Sequence, residues 1–445
     1  MSHVVRPWLP LWDWPLVEAS HAIHRIRHLR TEPQKSVISE RFSTPRSFEQ
    51  FAARFNAAMP VVEINHRLDW NVARIASNDV DELWILTDWS DDEMESALIL
   101  QAPLSTLDYS LGPWTFFKWR IRKLQIYAGP ILGGAEPPDL FLHKAFAGLA
   151  AHLPRWAAIF VFSAPVGSPL HAEITDPAGP IQRHFFVLPW GGEQPHCRIT
   201  WEGTVDSYLQ SIGPESRRNL KRYSKKLLSD HALHCRVLRF SGVHETDRFL
   251  RDASRVFAKS YQSSVPGLAL SVDSTEGRQI TVAAREGSFL GHILYINNEP
   301  AAFHYGVIIG DRYFVLQMAY DPMWARHHAG SVLLLEVLKD IERRGPHLRC
   351  LDYMGGVTTF KLRTTNHKTT TQSYYLFPRS PAGGLQYASL SLVNAISQAA
   401  GVALERTNLK VAVQSLVQRW KRRPSSPGKA APPGLGERAR GMSAE

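Results

Sequence analysis

The stretch MAYDPMWARHHAGSVLLLEVLKDIERRGP, residues 318–346, decides the fold that this sequence predicts. A strand ends in Tyr-Asp-Pro, a short basic loop follows, and small residues open an apolar helix predicted over Ala329–Arg344. The first turn of a helix has unpaired N–H groups and the positive end of the helix dipole, and small side chains let a phosphate approach them. The pattern predicts a diphosphate-binding helix start, although an ordinary helix after a proline loop has the same pattern. The residues predicted to bind a diphosphate-containing cofactor are Arg326, Ala329, Gly330, Ser331 and Val332.

The segments around this helix alternate between helical and strand patterns. Three strands lead into it, with hairpin turns at Asn297–Asn298 and Gly310–Asp311, and further strands follow it. This order predicts an α+β or mixed α/β fold in which mixed central sheets are flanked by helices. The predicted elements are helical Asp206–Ser229 interrupted at Gly213–Pro214, strand Cys235–Phe240, helices Glu245–Ala258 and Ser274–Ala284, and strands Phe289–Ile296, Pro300–Ile309, Tyr313–Tyr320, Arg349–Tyr353 and Thr371–Leu376.

The first 200 residues show a weaker version of the same alternation. Residues 165–203 hold many Pro and Gly residues and are predicted to be a connector with one short strand, His184–Leu188. Near the C-terminus, Leu385–Arg422 is predicted to form one or two helices. The other predicted elements are helices Ser47–Ala57 and Asp139–His152, and strands Asn71–Ile75, Leu83–Thr87, Ser96–Gln101 and Ala157–Phe162.

Composition places the chain among ordinary globular proteins. It has 445 residues, 44% hydrophobic and 21% charged, which predicts two or three domains and argues against a disordered chain. The formal net charge of +10 permits binding to a polyanion, a membrane surface or an acidic cofactor, without choosing among them. Three distant cysteines argue against a disulfide framework or a zinc site. Without a signal-like or spanning apolar run, a cytoplasmic location is expected.

The loop at Arg326–Ser331 resembles the acyl-CoA loop of GNAT acyltransferases, although Ala329 and Ser331 depart from that family's glycine-rich pattern. The order of six features over residues 206–377 more specifically resembles the acetyltransferases grouped with the cellulose-biosynthesis protein CelD. These features are SRRNLKR at Ser216–Arg222, NEPAAF at Asn298–Phe303, YDP at Tyr320–Pro322, the small-residue helix start, LDYMGG at Leu351–Gly356, and Lys361 in TTFKLR. That family usually carries a preceding degenerate GNAT-like domain, and the tandem arrangement is similar to that of Fem peptidoglycan aminoacyltransferases.

The resemblance implies direct attack of an amine on the thioester of acetyl-CoA or another acyl-CoA, with a general base, a proton donor for the thiolate, and no metal. Arg217 and Asn219 match the family's basic helix and are predicted to bind substrate. Asp352 and Lys361 match its late motif, where they could act on substrate or form a structural ion pair. The predicted substrate-binding residues are Arg217, Asn219, Tyr353 and Lys361.

Several side chains are candidates for proton transfer. His304 shares one strand face with Ala302 and Gly306, and imidazole suits a general base, although a hydrogen-bonded core histidine is the alternative. Asp321 could be a base at the end of its strand or could brace the Pro322 turn. Tyr320 and Tyr353 could protonate the thiolate. The predicted catalytic residues are His304, Asp321, Tyr320 and Asp352.

The basic helix is amphipathic. Its Lys and Arg residues spread over one half of the circumference, while Leu220, Tyr223 and Leu227 occupy the other. Such a helix is either a solvated surface element or an anion site for a nucleotide-linked acceptor or RNA. The basic residues are Arg217, Arg218, Lys221, Arg222, Lys225 and Lys226.

These predictions divide the chain into five parts and leave three functions open. The parts are an irregular segment 1–45, a degenerate GNAT-like domain 46–200, a GNAT acyltransferase domain 201–380, C-terminal helices 381–422 and a disordered basic tail 423–445.

The first function is N-acylation of an amine, such as an amino sugar or a polysaccharide precursor. The second is Fem-like transfer from aminoacyl-tRNA, and the third is a non-catalytic anion- or membrane-binding module. The C-terminal helix either packs on the fold or contacts a membrane peripherally, and the sequence favours packing. No DNA partner is expected, and tRNA is a partner only under the second function.

Overall fold

The computed structural model describes residues 38–42, 82–90, 93–111, 114–127, 132–133, 138–154, 156–230, 232–265, 268–345 and 347–406, with isolated residues between 51 and 74. The strands are β1 (Ile38–Phe42), β2 (Glu82–Ser90), β3 (Glu93–Ala102), β4 (Leu104–Leu111), β5 (Trp114–Tyr127), β6 (Leu132–Gly133), β7 (Ala157–Pro165), β8 (Phe185–Thr200), β9 (Cys235–Phe240), β10 (Phe289–Ile296), β11 (Glu299–Ile309), β12 (Arg312–Tyr320), β13 (Cys350–Asp352) and β14 (His367–Pro378). The helices are α1 (Pro138–His152), α2 (Pro169–Thr175), α3 (Pro180–His184), α4 (Val205–Ser211), α5 (Pro214–Leu228), α6 (Thr246–Lys259), α7 (Thr275–Arg285), α8 (Ala329–Arg344), α9 (Thr359–Thr364) and α10 (Pro381–Arg406).

The larger of two compact units lies within residues 1–106 and 121–387 and contains one continuous mixed sheet. Along its main path the strand order is β1-β2-β3-β5-β7-β14-β8-β13-β12-β11-β10-β9, and β6 pairs with β3. The pairs β5–β7 and β12–β13 are parallel, and each is joined through a single helix, α1 or α8. The same strand–helix–strand unit therefore occurs twice, once in each half of the chain.

Strand exchange along the chain links these two halves. β14, which follows β13 in sequence, returns to the first half and lies between β7 and β8. β8 in turn pairs with β13 through Arg198–Thr200, so the three-residue β13 connects the two halves of the sheet. The tandem halves consequently share one sheet instead of packing as separate sheets.

Helices cover the sheet on both faces and bury three apolar clusters. In the second half, α4, α5 and α8 cover one face, and α6 and α7 cover the other. In the first half, α1, α2 and α3 pack against β5, β7 and neighbouring strands. Each fully buried Leu, Ile or Val contributes about 2 kcal/mol of transfer free energy, so the apolar face of α8 holds that helix firmly on the sheet. Its buried apolar side chains are Val332, Leu333, Leu334, Leu335, Val337, Leu338 and Ile341.

The smaller unit lies within residues 107–120 and 388–445. In it β4 pairs with β5. The hydroxyl groups of Tyr109 and Ser389 lie 2.9 Å apart, and the rings of Tyr109 and Phe117 have centroids separated by 5.5 Å. Among the described residues of the whole chain, no helix is long and apolar enough to cross a membrane.

The structure confirms the predicted elements around the central helix. α8 has the predicted bounds, and β9 and β10 also match. Asn297 and Asn298 have φ values of 53° and 62°, which is the left-handed backbone that a type I′ hairpin turn requires. The fold is the predicted mixed α/β arrangement of sheet and flanking helices.

Two predictions in the first half are wrong. The predicted strand Asn71–Ile75 is helical at its described residues, because Trp70 packs with α7, where Gln279 donates to its carbonyl oxygen. The predicted connector 165–203 contains the sixteen-residue strand β8, which is paired on both sides; the predicted short strand His184–Leu188 is confirmed as its first part, and the prediction is wrong from Pro189 to Thr200. Its Gly191 and Gly192 adopt positive φ where the register with β14 shifts, so they form a bulge and not the end of a strand.

Other predictions fall partly outside the described residues. Phe51 and Phe55 of the predicted helix Ser47–Ala57 are helical, and the rest of that helix lies outside the described residues. α10 covers the first part of the predicted C-terminal helices, whereas residues 407–445, including the predicted tail, also lie outside. The five-part division of the chain stays a prediction.

Gly306 provides a test of the β11–β12 pairing. It lies opposite Val315, next to a bulge at Leu316, and a Cβ atom there would overlap the carbonyl oxygen of Phe314. Gly306→Ala should therefore lower the free energy of unfolding by about 2–3 kcal/mol, the upper range for overpacking. Urea unfolding would measure the loss. Gly213→Ala is the control, because a Cβ at that helix-capping glycine meets no atom within 4 Å. Equal stability of the two variants would contradict the register.

Candidate active site

Strands β12 and β13 pair for three residues and then separate. Parallel pairing joins Arg312–Phe314 to Cys350–Asp352, after which β13 ends while β12 continues to Tyr320. No described strand pairs with that side of β12 beyond Phe314. The gap that opens there, which we call the wedge, leaves an edge of β12 whose backbone groups are available to an extended ligand.

The corresponding strands of the first half show no such gap. β5 and β7 pair over Arg122–Tyr127 and Ala157–Phe162, which reaches the last residue of β5. The two strand–helix–strand units therefore differ at the position where a ligand could enter. Within the described chain, the wedge belongs to the second half.

Helix α8 begins at the open end of the wedge, after β12 and the short 3₁₀ turn Pro322–His327. His328 has left-handed backbone angles, φ 54° and ψ 37°, and its carbonyl oxygen accepts hydrogen bonds from the N–H groups of Ser331 and Val332. The N–H groups of Ala329 and Gly330 have no backbone acceptor among the described residues. Together with the helix dipole, these two groups form an anion-binding position.

The basic helix α5 lies beside this helix start. The ring of Tyr223 stacks on that of His328 with centroids 3.5 Å apart. The guanidinium carbon of Arg222 lies 5.1 Å from the centroid of this Tyr223 ring. Burial and the charges of Arg222 and Lys226 lower the pKa of His328. Arg222 and Lys226 are exposed, so they add positive charge at the position where α8 offers its free N–H groups.

The residues predicted from the sequence to bind anions lie close to this position but contribute differently. Arg326 is exposed in the turn before α8, and its Nε donates to Nε2 of His327 over 3.1 Å. Asn219 accepts a hydrogen bond from Arg222 over 3.1 Å and so helps to orient that side chain. Arg217 is half-buried near the start of α5. Arg222 and Lys226, which were not singled out, are the α5 cations that lie near His328 at the start of α8.

Asp352, at the end of β13, is the centre of a buried polar cluster. Its carboxylate accepts hydrogen bonds from Nε2 of His196 and Nε of Arg198, both 2.7 Å, and from the N–H of Met354, 2.8 Å. The side chain is 1% exposed. Burial would raise the pKa of Asp352, but His196, Arg198 and the Met354 N–H outweigh burial and hold the pKa below its ordinary value. Asp352 is therefore ionised at neutral pH.

Lys361 and Asp352 each have other partners and do not form the predicted ion pair. The Lys361 ammonium donates to the carbonyl oxygens of Tyr353, Gly355 and Gly356 at 2.8, 3.0 and 3.0 Å, which closes the turn after β13. Burial lowers the pKa of Lys361. Tyr353 is 1% exposed, bonds through its hydroxyl to Thr364 over 2.8 Å, and has a pKa raised well above its ordinary value by burial. Both side chains stabilise the turn that ends β13.

His304 lies in the core beneath α8. Tyr313 donates its hydroxyl proton to the carbonyl oxygen of Leu290, so Nδ1 of His304 donates to Tyr313, 3.2 Å away. The ring is buried and Nε2 has no partner among the described residues. Burial, aided by nearby His292, lowers the pKa of His304 to about 3. This geometry favours the alternative of a core histidine.

Asp321 and Tyr320 lie at the entrance to α8. Asp321 is buried and accepts from the Lys259 ammonium, 2.7 Å, and from the Met323 N–H, 3.0 Å. Burial would raise the pKa of Asp321, but these two bonds outweigh it and lower the pKa. The carboxylate therefore braces the turn before α8. Tyr320 is exposed, and its ring lies 3.4 Å from the position of a Cβ on Gly330, so it covers the helix start.

His196 and Arg198 are the residues that sequence reasoning missed. They alternate along β8 in the phrase PHCRIT, with Cys197 and Ile199 buried between them, and this period of two is the signal that could have indicated a strand. Nothing in the sequence connects them to Asp352, more than 150 residues away. Among the described residues, no three His, Cys, Asp or Glu side chains cluster as a metal site would require.

A family model described as an acetyltransferase (GNAT) domain matches residues 214–362, the segment that contains α5, the wedge and α8. This segment is therefore similar to the acetyltransferase domains of the GNAT family. No curated protein matches the sequence.

Several solved structures are similar in fold at low identity. A conserved protein of unknown function from Bacteroides thetaiotaomicron is 11% identical, with a TM-score of 0.48 over 76% of this chain and 98% of that one. FemX is 9% identical, with a TM-score of 0.49 over 76% and 96%. A tandem GNAT protein from the clavulanic acid biosynthesis pathway is 12% identical, with a TM-score of 0.39 over 77% and 99%.

The pKa of His304 predicts a specific acid sensitivity. Because the pKa is lowered in the folded protein, the unfolded chain binds a proton below about pH 6.5 that the folded chain resists until about pH 3. Stability present above pH 6.5 is thus lost progressively as the pH falls. His304→Asn keeps a donor for Tyr313 but does not titrate. Between pH 7 and 4.5 it should lose about 2 kcal/mol less than the wild type in urea unfolding. Parallel pH dependences would refute the assignment.

Proposed function

We propose that this protein is an acyl-CoA-dependent N-acyltransferase that transfers the acyl group of acetyl-CoA, or of another acyl-CoA, to an amine. The wedge with the start of α8 at its open end carries the proposal. An extended pantetheine arm can add to the free edge of β12 as another strand would. The pyrophosphate would then reach the N–H groups of Ala329 and Gly330, with Arg222 and Lys226 beside it.

The chemistry that this site would support is direct transfer. The amine nitrogen attacks the thioester carbonyl carbon, the C–S bond breaks, and coenzyme A leaves as a thiolate that takes up a proton. The chain would bind the diphosphate at α8, extend the acyl arm along β12 and hold the thioester where β12 and β13 part. Positioning of two bound substrates in this way lowers the barrier by removing the entropy cost of their encounter.

We propose an amino sugar or a polysaccharide precursor as the acceptor, following the resemblance to the CelD-like acetyltransferases. Membership of that group stays a prediction, as does the cytoplasmic location. A non-catalytic anion- or membrane-binding module would need the basic helix but would have no use for a wedge between β12 and β13. The presence of the wedge favours the enzyme.

A pair of variants at Gly330 tests acyl-CoA binding. Gly330→Asp places a carboxylate in the first turn of α8, where it suits the helix dipole but repels a diphosphate. Gly330→Asn has nearly the same size without the charge, and a Cβ there meets only the Tyr320 ring. Calorimetric titration with acetyl-CoA should show a loss of about tenfold or more for Gly330→Asp beyond that of Gly330→Asn. Equal affinities, or no binding by the wild type, would contradict the proposal.

Variants of α5 separate acyl-CoA binding from the Fem-like alternative. Arg222→Ala and Lys226→Ala should each weaken acetyl-CoA binding several-fold, more at low salt, because their charges lie beside His328. Lys225→Ala is the matched control, since Lys225 lines a different cleft with Lys339 and Arg343. A tRNA backbone would contact the whole basic helix, so under the alternative all three variants should weaken salt-sensitive tRNA binding alike. Filter binding with total tRNA measures this second arm.

A further inference from the structure

The buried carboxylate of Asp352 accepts hydrogen bonds from two side chains, His196 and Arg198, although one positive charge is enough to balance its own. Arg198, whose guanidinium is always protonated, already balances the charge of Asp352. In the neutral tautomer of His196 that fits this contact, Nε2 carries the proton and donates it to Asp352, 2.7 Å away. That hydrogen bond leaves the lone pair on Nδ1, which has no hydrogen-bond partner among the described residues. A neutral imidazole held in one tautomer by a carboxylate is the usual arrangement of a general base.

The cluster also lies at the wedge. Asp352 is the last residue of β13 and pairs with Phe314, the last residue of β12 before the strands part. It pairs on its other side with Arg198, and His196 follows two residues along β8 on the same face. His196 and Arg198 are 18% and 23% exposed, whereas Asp352 is buried, so solvent reaches the cluster at both of these partners, one of which is the imidazole.

The strand pairing also determines which face of the sheet the Asp352 cluster occupies. Side chains of directly paired residues share a face, and Phe314 packs in the cluster beneath α6 and α7. The Asp352 cluster therefore lies on the face opposite to α8, whose first turn would bind the phosphates. A thioester held in the wedge between the faces could be reached by an amine from the side of His196.

We propose that His196 is the general base for the amine acceptor and that Asp352 is the residue that positions it, an inference that rests on the proposed acyl-CoA-dependent function. The acceptor class is a primary ammonium. Nδ1 of His196 takes one proton from the ammonium, and the free amine nitrogen bonds to the thioester carbonyl carbon. The C–S bond breaks, the thiolate takes a second proton from the nitrogen, and the imidazolium returns its proton to solvent. The first half of the chain thus supplies, through β8, a catalytic residue to the site in the second half.

The substitution His196→Gln tests this role without disturbing the cluster. The glutamine amide nitrogen can replace Nε2 as the donor to Asp352, but it has no basic nitrogen. The full-length protein is measured with acetyl-CoA in two assays: calorimetric binding, and release of free coenzyme A with glucosamine as the probe amine or water as the minimal acceptor. The variant should bind acetyl-CoA within about twofold of the wild type and release coenzyme A at least about a hundredfold more slowly. With water as the acceptor, which has no ammonium to titrate, the rise of the wild-type rate with pH should be absent from the profile of the variant.

A second variant separates positioning from catalysis. Asp352→Asn keeps the size of the side chain and leaves Nδ1 of His196 in place but removes the charge that selects its tautomer, so the rate should fall while the rise with pH persists. Release of coenzyme A by His196→Gln at the wild-type rate overturns the proposal. A slower rate of release with an unchanged pH profile also overturns it. Acetyl-CoA binding by the wild type without release to either acceptor also overturns it. Absence of acetyl-CoA binding, by contrast, is failure of the proposed function itself.

Discussion

The buried carboxylate of Asp352 is the interaction on which the rest of the site depends. An ionised carboxylate at 1% exposure is tolerated only when its oxygens are fully hydrogen-bonded, and here His196, Arg198 and the Met354 N–H supply the donors. The bond to Met354 draws the chain into a left-handed turn, φ 57°, directly after β13. β13 therefore cannot continue beside β12, and the wedge follows from this one buried charge. Lys361 reinforces the turn by binding three of its carbonyl oxygens.

The two halves differ in how far their parallel strands stay paired, and only the second half carries the wedge among the described residues. Both halves contain a helix that crosses between parallel strands, but β5 stays paired with β7 to its last residue. The second half ends its corresponding strand after three residues, and β8 from the first half occupies the other side of that strand. The shared sheet makes each half incomplete alone, since β14 completes the first half and β8 supplies His196 and Arg198 beside the second.

Sequence patterns predicted the second half well because its signals are local. The small residues, apolar stripe and terminal Gly-Pro of Ala329–Arg344 all lie within one helix, and paired asparagines define one hairpin. Only the first part of β8 was predicted, because its partner strand β14 lies far away in sequence and its two glycines suggested a turn. His304 shows a different limit: alternation assigned its face correctly but could not show that α8 covers that face. The His196–Asp352 contact is purely tertiary, so no local pattern indicates it.

The distribution of charge across the sheet suggests how two polar substrates would be kept apart. Arg222, Lys226 and the start of α8 are a net positive group on one face, suited to a diphosphate. On the opposite face the charges of Arg198 and Asp352 cancel, so this face carries little net charge beside the imidazole of His196. A strong positive potential there would repel the ammonium, and a strong negative one would hold it protonated. An acyl arm in the wedge would link the two regions, which favours a mechanism in which both substrates are bound before transfer, over one in which the acyl group is first stored on the protein.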